Sequence, residues 1–225
     1  MEEIQKASAE KIINWTFPGL TFYYRDTELS TRQQEKYALG MILRNGFFLD
    51  VSSTAGAPTQ NTRFIIASSK AAPVYLVNPD MEKYGLHVLN LNSYFKVMDI
   101  HEAQGFRQIF LLHIPAKGID FFRQSQTNFD EGFIEKARTS LTQKLAKGVM
   151  PVFQSAEWID KTKFAVGLDA KDKPFPLAPS PVPPQAAPLF EGLKKMAKDT
   201  DDLNVYAGGD AKSEKKGFWN KLFGK

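Results

Sequence analysis

The sequence predicts an α+β domain, in which a largely antiparallel sheet is packed by about three helices. A Pro-rich linker and an amphipathic C-terminal tail follow it. Three observations carry this. Apolar residues recur at helical spacing near both ends of the first 172 residues, strand-length apolar runs fill the middle, and composition changes abruptly after Lys173. The chain has 225 residues, 43% of them hydrophobic and 24% charged, which is material for one packed domain with appendages.

Ile4, Ser8, Ile12 and Trp15 recur at steps of four, four and three, so residues 2–16 are expected to form a helix that Pro18-Gly19 ends. Ser30 and Gln33 make a capping box, since hydroxyl and amide can each satisfy an orphan N–H at a helix start. Tyr37, Ala38, Met41 and Ile42 continue as a helical stripe to a stop at Asn45-Gly46. Strands are expected at 47–51, 63–68, 94–100 and 108–114. The last two join through a turn at Gln104-Gly105 that sets Ile100 and Met98 beside Ile109 and Leu111, and His113 beside Lys96. Asn128 and Glu131 form a second capping box, opening a helix with Phe133, Ile134, Ala137, Leu141 and Leu145 on one face and a stop at Gly148. Residues 158–168 read as either a short helix or a returning edge strand.

The organisation that follows is a globular domain at 1–172, a Pro-rich linker at 173–188, a short helix and polar segment at 189–211, and a basic amphipathic tail at 212–225. The run PFPLAPSPVPPQAAP favours extended, polyproline-like backbone with few donors for a sheet, so it is expected to act as a semi-rigid spacer.

Charge is concentrated in the tail. Lys212, Lys215, Lys216, Lys221 and Lys225 against Glu214 give +4, the net charge of the whole chain, and residues 1–211 are balanced. A nucleic-acid partner is therefore not expected, and the aromatic runs at 21–25 and 47–48 are assigned to core packing rather than base stacking. The chain has no cysteine, which excludes disulfides, thiolate metal sites and thiol catalysis. A cytoplasmic location is expected, with peripheral membrane attachment through the tail as the variant of it.

Candidate chemistry is sparse. The histidines are His87, His101 and His113; Asp99 and His101 alternate onto one strand face with Glu102 next to them, a polar group suited in type to metal or acid–base work. Their spacing matches no common metal site, and neither a metal nor a cofactor is expected. Ser68, Ser69 and Lys70 stand at a strand end where catalytic loops often begin, and Ser69 with Lys70 is the candidate for nucleophilic chemistry. No phosphate-loop, dinucleotide, nucleophile-elbow or zinc-protease motif occurs.

At 100° per residue, Phe218, Trp219, Leu222 and Phe223 fall on one face of the tail, with Lys221 on the other and Lys215 and Lys216 just before. Such a short helix needs a surface to fold against: a partner groove, an anionic membrane, or its own domain. The expected function is a non-enzymatic cytoplasmic adaptor whose tail docks on a partner protein or anionic membrane. The alternatives are an enzyme with a polar site near Asp99, His101 and Ser69, or a structural subunit of an assembly.

Overall fold

The apolar runs become a seven-stranded sheet in the computed structural model, which describes residues 2–124, 129–199 and 203. The strands are β1 (Thr21–Thr27), β2 (Ile42–Arg44), β3 (Leu49–Ser52), β4 (Thr62–Ser68), β5 (Leu86–Leu89), β6 (Tyr94–Ala103) and β7 (Phe106–Ile114). Their order is β2-β6-β7-β4-β1-β3-β5, antiparallel throughout except for β4 and β7, which run parallel. The described helices are α1 (Glu2–Thr16), α2 (Thr31–Gln34), α3 (Ile119–Gln124), α4 (Phe129–Lys147), α5 (Ala156–Thr162) and α6 (Ala187–Met196). The class is α+β.

Two expectations changed under tertiary pairing. The capping box at Ser30 forms with both of its bonds, but the helix it opens lasts only to Gln34. Gly40 then turns with φ +78°, and Ile42–Arg44 pair with Tyr94–Lys96 as a sheet edge, so the expected stripe ends as a strand. Local spacing lost to a ladder of long-range bonds. The β6–β7 hairpin turns at Gln104-Gly105, both at positive φ, and Ile100 faces Ile109 as expected. A bulge at Met98 shifts the register by one, so Val97 faces Leu111 and Phe95, not Lys96, faces His113. TFYYRDT, an aromatic run in the sequence, is a near-central strand, and residues 156–162 are helical. The Asn128 cap and the 212–225 tail lie outside the described residues.

Both sheet faces are buried. Phe64, Ile66, Val97, Ile109 and Leu111 lie on one face under Tyr37 and residues 165–168. Ile65, Ala67, Phe110 and Leu112 lie on the other, with Ile12 of α1, Phe122 of α3 and Ala137 of α4. A third cluster beyond β5 joins Tyr84, Leu86, Val88, Phe153, Trp158 and Leu193.

Buried charges pin the connections. Arg63 makes two bonds to Asp26 across β4 and β1, at 2.7 and 2.8 Å, and a third to the carbonyl of Gly56. Asp26 also accepts from the backbone of Thr59, so the pair holds the 53–61 loop against the sheet. Arg25, on the opposite face, donates to the carbonyls of Asp50, Lys161 and Phe164 and so fixes the end of α5. Burial lowers its pKa to about 10, which leaves it charged at neutral pH.

Residues 174–183, expected as a spacer, run along the end of the sheet. Arg44 donates to Pro176 and Ser180, Tyr94 to the carbonyl of Leu177, and the Asn92 amide pairs both ways with the Ser180 backbone. Gly46 is required beneath this strap, because a Cβ there would lie 2.5 Å from the Phe175 ring.

Removing the carboxylate in Asp26→Ala leaves Arg63 buried and uncompensated, at an expected cost of about 3–5 kcal/mol. The exposed Arg123–Asp120 pair is the contrast: Arg123→Ala should cost under about 1 kcal/mol. Urea midpoints of the two variants, compared with the parent, check both.

Candidate functional site

The parallel strands β4 and β7 end side by side, so their last polar residues meet. Register pairs Ala67 with Leu112, and one residue further the Ser68 hydroxyl lies 2.8 Å from Nδ1 of His113. Both residues are buried, Ser68 completely. The imidazole is enclosed by the edge of Trp15 at 5.0 Å and the tilted ring of Phe95 at 5.2 Å. Burial, and then the nearby Lys70 charge, bring the pKa of His113 down to about 3, so the ring is neutral. Ser68 Oγ also accepts the Lys70 backbone N–H at 3.0 Å, and the tautomer of the neutral imidazole with its proton on Nε2 is the one that takes the Ser68 hydroxyl proton at Nδ1.

Helix α1 closes this end of the sheet. The Ser69 hydroxyl donates to the carbonyl of Trp15 at 2.9 Å, and the Lys70 ammonium stands 5.5 Å from the Trp15 ring centre. Trp15 in turn donates its indole N–H to Asp199, just past α6, at 2.9 Å. On the other side the row continues to Thr21, which faces Ser68 from β1 and is exposed.

The other sequence candidates are placed elsewhere. Asp99 is held by Arg138 of α4 through two bonds of 2.8 Å, an ion pair between sheet and helix. His101 faces Gln108. Asp99 faces Phe110, which neighbours Ile65 on β4, so Ser69 lies four residues or about 13 Å further along the sheet. Asp99 and His101 therefore share no site with Ser69 and Lys70. No group of three or more His, Asp or Glu suited to a metal occurs among the described residues. The sequence places Ser68, Ser69 and Lys70 at this strand end and offers Ser69 with Lys70 as the reactive pair, while the expected hairpin register sets His113 beside Lys96. Parallel pairing of two strand ends was the missing information. His87 is a separate case: its Nδ1–H donates to the carbonyl of Gly85, its ring packs between Tyr23 and Tyr75, and burial lowers its pKa.

No family model matches the sequence, and no curated protein matches it. Among solved structures the chain is similar to the type III effector XopAI from Xanthomonas axonopodis pv. citri, at 14% identity and TM-score 0.37 over 45% of this chain and 46% of that one. It is also similar to Vis toxin, an ADP-ribosyltransferase from Vibrio splendidus, at 14% and 0.35 over 52% and 62%. A third is exoenzyme S from Pseudomonas aeruginosa, solved with human 14-3-3 protein beta and carba-NAD, at 15% and 0.37 over 47% and 53%. The chain spans about half the length of the solved structures it matches. Neighbours with enzyme names correct the expectation of a non-enzymatic adaptor built for protein–protein interaction, and with it the leaning against catalysis. No reaction or substrate is carried over with so partial a likeness. No described helix is long and apolar enough to cross a membrane.

The neutral, buried His113 makes stability depend on acid. Its folded pKa of about 3 lies below the ordinary 6.5, so between those values the unfolded chain binds the proton and the folded chain does not. Its stabilising contribution is complete above 6.5 and is lost as pH falls toward 3, with a slope of up to about 1.4 kcal/mol per pH unit. Melting temperatures of the parent should fall across that window, and His113→Gln should flatten the slope.

Proposed function

We propose that the chain is an enzyme in which Ser68 is the nucleophile and His113 its base, acting on an acyl group. The observation that carries this reading is the 2.8 Å approach of the Ser68 hydroxyl to Nδ1 of a neutral imidazole, that of His113. In the step, Oγ forms a bond to the acyl carbon and the hydroxyl proton passes to Nδ1. The bond to the leaving group breaks, and that group departs with the proton. Water then repeats the sequence in reverse order, releasing the acid and restoring Ser68.

The described form is closed. Trp15 lies against the imidazole, and Asp199 holds Trp15 in place. Substrate enters from the Thr21 side when Trp15 turns away, and the same movement hydrates His113 and returns its basicity toward the ordinary imidazole range. Burial, and then the Lys70 charge, keep the imidazole unprotonated beforehand.

A fluorophosphonate reagent, followed by peptide mass spectrometry, tests the assignment. The parent should acquire the label on Ser68 and hydrolyse p-nitrophenyl acetate. Ser68→Ala should lose both, and His113→Gln should slow labelling by about 10²-fold. Trp15→Phe, which removes the bond to Asp199, should speed it. Melting curves establish that each variant is folded. A folded parent that takes no label at Ser68, or whose esterase rate survives in Ser68→Ala, overturns the proposal and leaves the pair as a tie between β4 and β7.

A further inference from the structure

An open groove of about 610 Å³ runs between the 3-10 segment Pro79–Tyr84 and the start of α5. Asp80, Glu82 and Glu157 line it against the single cation Lys83, an acidic strip in a chain whose first 211 residues are balanced overall. Glu157 is fixed in it, accepting from the Tyr84 hydroxyl at 2.8 Å and the Lys83 ammonium at 3.3 Å. Met81 lies in the groove, and the preceding 3-10 turn leaves Leu76 66% and Val77 43% exposed. Acidic and apolar surface thus adjoin.

We propose that this groove is the docking site of the chain's own residues 212–225, with Phe218, Trp219, Leu222 and Phe223 against Leu76, Val77 and Met81, and the lysines among the carboxylates. Two observations select this occupant. The tail carries the complement of both features, four large apolar side chains and a net charge of +4. Residues following the Pro-rich run also reach the cluster that Met81 of the groove packs on: Met196 and Ala197, at the end of α6, pack against that same cluster. From Leu203, whose carbonyl accepts from Lys117, fifteen residues lead to Phe218 and span up to about 50 Å when extended. A folded chain of this length has a radius of gyration of about 17 Å, so the groove is within reach. The lipid interface, a second copy and a free tail are the competing outcomes.

The chain has no cysteine, so two introduced thiols are the only pair that can join. In full-length protein under mild oxidation, Leu76→Cys with Phe223→Cys should close an intramolecular disulfide. It should do so about tenfold faster than Leu39→Cys with Phe223→Cys, because Leu39, 72% exposed, adjoins β2 at the opposite edge of the sheet. Adding Asp80→Lys with Glu82→Lys should erase that advantage. Equal rates for the two pairs, or covalent dimers in place of closed monomers, overturn the proposal. So does binding of the parent to phosphatidylglycerol vesicles that charge reversal of the groove leaves unchanged, since a docked tail would be released by that reversal.

Discussion

One pairing organises this molecule: β4 and β7 run in the same direction within a sheet otherwise made of opposed neighbours. A parallel pair cannot be joined by a short turn. Residues 69–105 must leave the end of β4 and return to the start of β7, and on the way they supply β5 and β6 at the two flanks of the sheet. All seven residues of β4 are buried, as expected of a strand covered on both faces. The same direction brings the ends of β4 and β7 together, which is why a serine and a histidine 45 positions apart share a hydrogen bond. Antiparallel pairing would have set Ser68 beside the beginning of β7 and left His113 alone.

Those elements that declare themselves by local chemistry were legible in the sequence. The first helix, the strands 63–68 and 108–114, the Gln104-Gly105 turn and the Gly148 stop follow from spacing and from residues suited to positive φ. Elements decided by distant partners were not. Ile42–Arg44 carries a helical pattern yet forms an edge strand because β6 offers it a ladder. The Met98 bulge leaves no mark in the sequence, so the predicted neighbour of His113 was off by one residue. Of the candidate site, Ser69 and Lys70 mark the strand end at which Ser68 meets His113, while that meeting depends on strand direction, which periodicity does not encode.

Polar groups inside this fold mostly serve connections. Arg25 has three backbone carbonyls for partners, and through them one guanidinium holds β3 and the end of α5 to β1. Arg44 and Asn92 do the same for the Pro-rich strap, whose prolines cannot supply donors of their own. Side chains of the sheet thus supply the hydrogen bonds that a proline-rich backbone lacks, and a segment with a linker's composition becomes part of the domain. Ser68 and His113 differ in this respect, since their bond links two strands already joined by a full ladder. That redundancy sets the pair apart from the buried arginines.

The bond from Trp15 to Asp199 spans 184 positions. During synthesis Trp15 emerges 184 positions ahead of Asp199, so its indole stays without that partner until α6 has been made. A chain interrupted before residue 193 would display an unanchored indole and a third cluster without Leu193. Contacts of such separation slow folding. A nascent chain that has not yet reached Asp199 therefore displays a recognisable apolar signal at Trp15, and the arrival of the residues after α6 is what removes it.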